Sequence, residues 1–391
     1  MLPYGNYFPD KFSYLLNFEC CNQCAVSSER QDGRYRALHL GDHQANHHTS
    51  SGTPVFFHFD RAFDQAFIFH PSIHPIIIGP QARHPILWYW WFEKSIPKVL
   101  KDCRADVFLS MDGYCSLTTE RQQVMVIHDL AYRHFPEQVP LWVRLFYKYY
   151  VPRYVQKADH LVTVSEASRR DVSDMSGIDT GLISVAYNGC RTEFRPLNGA
   201  SIQKVKEKLS AGEPYFIFVG AIHPRKNVLH LLQAFERFKW SSGSCHKLIL
   251  VGRKAWMTED LDRYLASMSH RSSVIWMPYL AANDLADAVA AASALICPSY
   301  LEGFGVPVLE ALMCDVPVII SNRFSLPEVG GPGAYLVDPD SPEQISYAME
   351  TVLKDPDLPH RIELGRSHRT KFDWDKSAEV IAKIIFQKDE N

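Results

Sequence analysis

The sequence lacks long apolar runs, a leader-like opening and a dominant charge. No segment approaches the roughly 20 consecutive apolar residues that a bilayer-spanning helix needs. The opening stretch, MLPYGNYFPDKFSYLL, has no positively charged region followed by a clean apolar one, so it does not resemble a signal peptide. The net charge of −3 gives no overall reason to expect nucleic acid as a partner. We therefore expect a cytoplasmic protein that does not bind nucleic acid.

A disulfide framework is also missing. The chain has nine cysteines, an odd number, and most of them stand singly: Cys103, Cys115, Cys190, Cys245, Cys297 and Cys314. This pattern indicates reduced thiols in the cytosol.

One short motif imitates a zinc site. Cys21-x2-Cys24 is followed by His43-x3-His47, but the spacer of eighteen residues exceeds the about 12 that zinc fingers use. We therefore expect no bound metal.

The sequence does contain regular alternation of strand-like and helix-like segments. From about residue 55, β-branched or aromatic runs such as VFFHF, DVFLS, VMVIHD and HLVTVS alternate with amphipathic stretches, and the pattern starts afresh at YFIFVGA. Strands that alternate with helices favour a parallel, helix-covered sheet. The sequence therefore predicts an α/β protein with two consecutive doubly wound, Rossmann-like units that divide near residue 196.

These units set the predicted domain boundaries. We predict an N-terminal domain over residues 54–196, a C-terminal domain over residues 197–370 and a final amphipathic helix over residues 371–391. Residues 1–53 are rich in cysteine and histidine and do not fit, because we find no opening strand that leads into a glycine-rich turn. One hypothesis is a disordered or aberrant segment, the latter from a shifted reading frame upstream of about residue 54.

A basic turn follows the first strand of the second unit. Gly220 allows the chain to turn closely after YFIFV, and Arg225 and Lys226 stand where a helix is predicted to begin. Two cations beside the free N–H groups of a helix suit a diphosphate without a metal. The alternative is an ordinary solvated basic turn. The turn is not a P-loop, because G-x-x-x-x-G-K-[ST] is absent.

Two glutamates lie eight residues apart in SYLEGFGVPVLEA (residues 299–311). Glu302 falls in a loop, and Glu310 lies just over one turn inside a predicted helix among apolar residues. Interaction with the helix dipole, worth about 0.3–1 kcal/mol, is the simpler explanation, but it does not account for those neighbours. A carboxylate that accepts hydrogen bonds from two vicinal ribose hydroxyls would need no counter-charge.

Together, the E-x7-E pair around Phe-Gly, the turn GAIHPRKN and the segment SLPEVGGPGAYLVDP resemble the retaining glycosyltransferases of family 4. The resemblance covers roughly residues 55–385 and is closest to bacterial enzymes of polysaccharide assembly, many of them mannosyltransferases. It implies the GT-B fold, in which two Rossmann-like domains face each other across a cleft and a C-terminal helix crosses back.

The resemblance also implies roles for residues of the second unit. Glu310 would bind the nucleotide ribose, Glu302 the donor sugar hydroxyls, and Arg225 with Lys226 the diphosphate. Three residues would approach the sugar and phosphates through their backbone: Phe304, Gly305 and Val306.

Three further positions take their expected roles from the family. His128 would face the donor sugar, Ser165 would either cap a helix or contact phosphate, and Pro278, within WMPYL, would lie beside the base. One departure is Ala221, where many members carry arginine.

We therefore expect a metal-independent retaining glycosyltransferase with no cofactor. Its co-substrate would be a nucleotide sugar, GDP-mannose in the first place and UDP-hexose as the alternative, and its acceptor a glycan or lipid-linked glycan. A GT-B protein that binds without catalysis is the rival, because residues 1–53 lack the expected opening strand and loop.

Aromatic and basic stretches, LWYWWFEKSIPKVLK and LWVRLFYKYYVPRY, suggest peripheral membrane contact or else simple packing on the first sheet. Asp338-Pro339-Asp340 is expected to be only a turn.

Overall fold

The computed structural model describes residues 13–16, 25–28, 38–41, 54–68, 70–255 and 257–386. The chain forms two compact units, of which unit 1 comprises Met1–Tyr187 with Trp374–Asn391, and unit 2 comprises Asn188–Asp373. The division therefore lies between Tyr187 and Asn188, earlier than the predicted residue 196, and the last helix groups with unit 1.

Unit 1 is built on one seven-stranded sheet and a separate two-stranded one. Its strands are β1 (Ser13–Leu16), β2 (Ala25–Ser28), β3 (Leu38–Gly41), β4 (Val55–Phe59), β5 (Ile73–Ile77), β6 (Val107–Ser110), β7 (Gln122–Ile127), β8 (His160–Thr163) and β9 (Ile183–Val185). Its helices are α1 (Pro85–Trp90), α2 (Ile96–Asp102), α3 (Ala131–His134), α4 (Leu141–Lys157) and α5 (Glu166–Ser176), together with α14 (Trp374–Phe386) at the end of the chain.

The large sheet has the order β5-β4-β1-β6-β7-β8-β9. Its strands are parallel except β1, which pairs antiparallel with both β4 and β6. The structure thus places three strands, β1 to β3, within residues 1–53, where none is predicted from the sequence, because four residues per strand are too few to show a periodicity. Residues 17–24, NFECCNQC, contain no glycine, so the glycine-rich turn expected after β1 is absent from the sequence.

The core of unit 1 is aromatic. Trp88 and Phe92 are fully buried and pack with Phe146 and Tyr154 of α4 against the sheet. The indole N–H of Trp88 donates to the carbonyl of Ala82 at 2.6 Å, which satisfies its polar group in the core. The predicted packing of these helices on the first sheet is therefore present.

Unit 2 contains a six-stranded sheet whose strands are all parallel. Its strands are β10 (Tyr215–Val219), β11 (Lys247–Val251), β12 (Val274–Met277), β13 (Ala294–Cys297), β14 (Val318–Ser321) and β15 (Tyr335–Val337). Its helices are α6 (Gly199–Ser210), α7 (Val228–Ser242), α8 (Glu259–Ser267), α9 (Ala282–Ala290), α10 (Val306–Met313), α11 (Leu326–Gly330), α12 (Pro342–Lys354) and α13 (Leu358–Arg369). Runs such as YFIFV are continuously apolar because helices cover both faces of the sheet.

The strand order of unit 2 is β12-β11-β10-β13-β14-β15, so the connections reverse direction between β10 and β13. In such sheets the loops that follow these two strands diverge, and ligands bind in the crevice that they leave at the carboxyl ends. The loop after β10 carries Arg225 and Lys226, and the loop after β13 carries Glu302. The fold therefore brings the predicted basic turn and the first glutamate to the same point.

No helix among the described residues is both long and apolar enough to span a bilayer.

Candidate functional site

The basic turn after β10 is a short 3-10 turn rather than the first turn of α7. Pro224–Lys226 form this turn, and Asn227 then adopts a left-handed conformation with φ of 57° before α7 begins at Val228. The buried amide of Asn227 donates to the carbonyls of Pro298 (3.1 Å) and Pro339 (2.6 Å), which holds this unusual conformation in place. The prediction that Arg225 and Lys226 begin the helix is corrected accordingly: they precede it, because Asn227 interrupts the helical backbone.

The turn after β13 is fixed from two sides. The backbone N–H of Tyr300 donates to the carbonyl of Arg225 at 2.9 Å, which joins the two turns through their main chains. The buried hydroxyl of Ser325 contacts the carbonyls of Glu302 (2.7 Å) and Phe304 (3.0 Å). Gly305 has a φ of 100°, and a Cβ there would lie 2.7 Å from Leu326 Cδ2, so the turn requires glycine at this position.

Lys226 and Glu302 form an ion pair at this point. Lys226 Nζ lies 2.5 Å and 2.7 Å from the two carboxylate oxygens, and the side chains are only 16% and 10% exposed. Burial alone would raise the pKa of Glu302, but the charges of Lys226 and Arg225 outweigh it and leave the pKa below its usual value. Glu302 is therefore ionised at neutral pH.

The nearest thiol does not compete as a nucleophile. Cys297 ends β13, and its Sγ lies 4.0 Å from Glu302 Oε1. Burial, with a contribution from the negative charge of Glu302, raises the pKa of Cys297 to about 11. With this pKa, the thiol of Cys297 stays protonated at neutral pH. Because only the thiolate is an effective nucleophile, Cys297 is not a candidate nucleophile.

Glu310 is buried in α10, as predicted, but it is not without a counter-charge. Arg191 Nη2 lies 3.2 Å from Glu310 Oε1, and the two side chains are 4% and 5% exposed. The expectation of a carboxylate satisfied by ribose alone was therefore wrong. The partner stands 119 residues earlier in the chain, so no local sequence pattern could reveal it.

The remaining predicted residues of unit 2 also lie at the carboxyl ends of its strands. Gly220 follows β10, and a Cβ there would lie 3.8 Å from Lys226 Cε. Pro278 follows β12, whose end is tied to the end of β11 by a hydrogen bond from Trp276 Nε1 to the carbonyl of Gly252 at 2.9 Å. The backbone positions predicted to approach the ligand lead from the β13 loop into α10: Phe304, Gly305 and Val306.

Two predicted residues belong to unit 1. His128 follows β7, and its Nε2 lies 2.9 Å from the carbonyl of Met111. Ser165 is the N-cap of α5, because its hydroxyl accepts the N–H of Ser168 at 3.0 Å. The capping role predicted for Ser165 is thus present. Contacts of His128 or Ser165 with a nucleotide sugar stay predictions.

The acidic pair Asp338 and Asp340 is held by arginine. Arg323 Nη2 contacts Asp338 Oδ1 at 3.0 Å and Asp340 Oδ2 at 2.5 Å, and the backbone N–H of Asp340 donates to Asp338 Oδ1 at 3.1 Å. This geometry is that of a charged turn.

The part of the chain that the structure describes holds no group of three or more residues arranged to bind a metal. The zinc-like motif at Cys21, Cys24, His43 and His47 lies outside the described residues.

The folds of the two units are those of GT-B glycosyltransferases, and similar solved structures share them. Sucrose-phosphate synthase from Thermosynechococcus elongatus aligns with a TM-score of 0.67 at 19% identity, covering 81% of this chain and 84% of that one. Anabaena Alr3699/HepE, solved in complex with UDP and glucose, aligns with a TM-score of 0.64 at 18% identity, covering 82% and 87%.

Sequence comparison defines the family. A model described as Glycosyltransferase Family 4 matches residues 48–194, and one described as Glycosyl transferases group 1 matches residues 200–366. The chain belongs to the family 4 glycosyltransferases of GT-B fold.

Two bacterial relatives are similar over most of their length. O-antigen chain mannosyltransferase B of Escherichia coli is 27% identical over 278 residues, which are 71% of this chain and 73% of that protein. O-antigen chain mannosyltransferase RfbU of Salmonella typhimurium is 26% identical over 261 residues, covering 67% and 68%.

Proposed function

We propose that this glycosyltransferase transfers a hexose, mannose in the first place, from a nucleotide sugar to a glycan acceptor in polysaccharide biosynthesis, with retention of configuration and without a metal. The observation that carries the proposal is the ion pair of Lys226 and Glu302 at the point where the sheet of unit 2 reverses its strand order. The names of the two O-antigen mannosyltransferases support mannose and polysaccharide. The complex of Alr3699/HepE with UDP and glucose keeps UDP-hexose as the alternative donor.

The cations of the basic turn would stabilise the leaving group. A diphosphate brings negative charge to Lys226 and Arg225, so the ammonium group would exchange its contact with Glu302 for phosphate oxygens. Fixed charges that meet developing negative charge lower the barrier without reorganising during the reaction. No metal is needed for this role, because the two side chains supply the positive charge.

Glu302 would then be available to the sugar. Since its pKa lies below the usual range, it is an ionised acceptor for donor sugar hydroxyls. In the transfer, the bond from the anomeric carbon to the phosphate oxygen breaks and a bond to the acceptor oxygen forms on the same face. The acceptor hydroxyl proton passes to the departing phosphate oxygen. Glu310 would accept hydrogen bonds from the ribose hydroxyls of the nucleotide.

A panel of sugar nucleotides tests the donor site. GDP-mannose, UDP-glucose and related donors are each added to the full chain, and thermal stabilisation and donor hydrolysis are measured with and without EDTA. We expect stabilisation by one donor, GDP-mannose in the first place, and no effect of EDTA. If no nucleotide sugar stabilised the protein, the donor-site assignment would be wrong. Binding without turnover on any glycan acceptor would instead favour the rival, a GT-B protein that binds without catalysis.

We further propose that unit 1 makes peripheral contact with a membrane that carries a lipid-linked acceptor. Helices α1 and α4 pack together, with the rings of Tyr89 and Tyr150 6.2 Å apart. They leave large apolar side chains exposed: Ile86, Trp90, Leu141, Trp142 and Leu145. Exposed cations lie on and beside the same helices: Lys94, Lys98, Lys148 and Arg153. Aromatic and cationic side chains together suit an anionic lipid surface.

Liposome co-sedimentation tests this contact. The wild type is compared with a Trp90→Ser, Trp142→Ser double variant on vesicles with and without anionic phospholipid. Both rings are about half exposed or more, at 54% and 68%, so their removal should leave the fold intact. We expect binding only with anionic lipid and a clear loss in the variant. Co-sedimentation that does not depend on anionic lipid would remove the proposal.

A further inference from the structure

The ion pair of Arg191 and Glu310 is the most deeply buried ion pair that the described residues contain. Both side chains are about 95% buried, and the pair joins α10 to the coil NGCRTEF that opens unit 2. The guanidinium of Arg191 also lies over the ring of Phe194, 4.9 Å from its centroid. No role is predicted for Arg191 from the sequence alone.

The pair is poorly explained by stability alone. Arg191 Nε is buried and has no hydrogen-bond partner among the described residues, which leaves part of the guanidinium unsatisfied. Replacing a buried ion pair by apolar residues of similar size is often neutral or stabilising. A chain that needed only a stable helix α10 would therefore do as well with two apolar side chains, so the pair points to a use for the charge.

A ribose-binding carboxylate needs what this arginine supplies. Glu310 must be ionised for both of its oxygens to accept hydrogen bonds from two vicinal hydroxyl groups, yet burial favours the protonated acid. Arginine stays charged at any working pH, and its planar fork fixes the direction of the carboxylate as well as its charge. The neighbouring thiol carries no charge at neutral pH, because burial, with Glu310 adding to it, raises the pKa of Cys314 to about 12.

We propose that Arg191 is a positioning residue, which keeps Glu310 ionised and oriented so that the donor ribose can be bound. The inference rests on the proposed function, since it takes Glu310 to be the ribose ligand. Arg191 acts through Glu310 and need not touch the nucleotide itself.

Binding of ribose and deoxyribose nucleotides tests the inference. Dissociation constants of GDP and 2′,3′-dideoxy-GDP, with the UDP pair in parallel, are measured by calorimetry for the wild type, Arg191→Met, Glu310→Gln and the double variant. We expect Arg191→Met to lower the preference for ribose by about tenfold or more, with little change in affinity for the dideoxy nucleotide. In the Glu310→Gln background, the same substitution should have no further effect.

Additional variants separate a folding defect from a binding defect. Arg191→Met leaves a buried charge unpaired, so its melting temperature is compared with that of an Arg191→Met, Glu310→Leu variant, which should melt near the wild type. Arg191→Lys keeps the charge without the fork and should restore ribose preference only in part. If Arg191→Met cannot be purified folded, Arg191→Lys decides the question, and a ribose preference equal to that of the wild type would overturn the positioning role.

The outcomes distinguish the two levels of the argument. If Glu310→Gln loses the ribose preference and the Arg191 variants keep it, only the positioning role is overturned. If the wild type binds neither nucleotide, or Glu310→Gln keeps the preference, the assignment of the site itself fails and the inference falls with it.

Discussion

Replacing Lys226 by methionine should destabilise unit 2, because the substitution leaves Glu302 buried without its partner. The carboxylate side chain is only 10% exposed, so little solvent screens it. Breaking a buried ion pair on one side costs about 3–5 kcal/mol, and we expect the lower end because water reaches the edge of this pair. At roughly 2–4 °C per kcal/mol for a unit of this size, the melting temperature should fall by about 6–12 °C.

The same substitution should reduce catalysis. Removing one fixed donor that stabilises developing negative charge lowers kcat by about 10²–10³-fold. Glu302→Gln, combined with Lys226→Met, should recover much of the lost stability without recovering activity, since the double variant has no unpaired charge. Thermal melting and steady-state kinetics with the selected donor separate these two effects.

Lys254→Met is the matched control. Lys254 also pairs with an acid, Asp262, in unit 2, but the two side chains are 47% and 41% exposed. An exposed pair contributes about 0–1 kcal/mol, so this variant should melt close to the wild type and keep its activity. If Lys226→Met behaved like Lys254→Met in both assays, the basic turn would be an ordinary solvated turn and the reasoning about the diphosphate would be refuted.

Three further predictions concern the same region. The folded-state pKa of Glu302 is depressed, so the ionised carboxylate contributes to stability above the unfolded pKa of about 4.3, and this contribution is lost as the pH falls below that value. The difference in unfolding free energy between the wild type and Glu302→Gln should therefore shrink on acidification. A difference that stays constant with pH would contradict this. Gly252→Ala should unfold or strongly destabilise unit 2, because φ is +152° and the new Cβ would lie 1.9 Å from the carbonyl oxygen of Gly220, whereas Gly199→Ala, which meets nothing within 4 Å among the described residues, should melt like the wild type. Ser325→Ala should cost about 1–3 kcal/mol and raise KM for the donor, because the carbonyls of Glu302 and Phe304 in the turn after β13 lose their contact with the buried hydroxyl; unchanged stability and KM would show that the turn does not depend on this hydroxyl.

Much of unit 2 could be predicted from the sequence, because its strands are buried on both faces. YFIFV and KLILV appear as continuous apolar runs, and both are strands of the parallel sheet. Glu310 was predicted to be buried because its near neighbours on α10 are apolar, and the structure confirms this. Family-specific motifs then supplied the fold and the family, which the comparisons confirm.

The remaining features depend on contacts between distant parts of the chain. Arg191 reaches Glu310 across 119 positions, and neither residue's neighbours indicate the other. The left-handed conformation of Asn227, which separates the basic turn from α7, is held by carbonyls of Pro298 and Pro339 in two other loops. Strand β1 is four residues long, which is too short for its alternation to stand out.

The hydrogen bond from the N–H of Tyr300 to the carbonyl of Arg225 has a consequence for how such a protein can diversify. The separation between the two loops is set by a backbone N–H, which every amino acid except proline carries, and by a backbone carbonyl, so it survives most exchanges of the side chains around it. Substrate preference can therefore change through the variable groups of either loop while the spacing of acid and base stays constant. A library that randomises Tyr300, the partly buried member of this loop, without proline should then yield folded variants with altered sugar preference more often than one that randomises the buried Ser325.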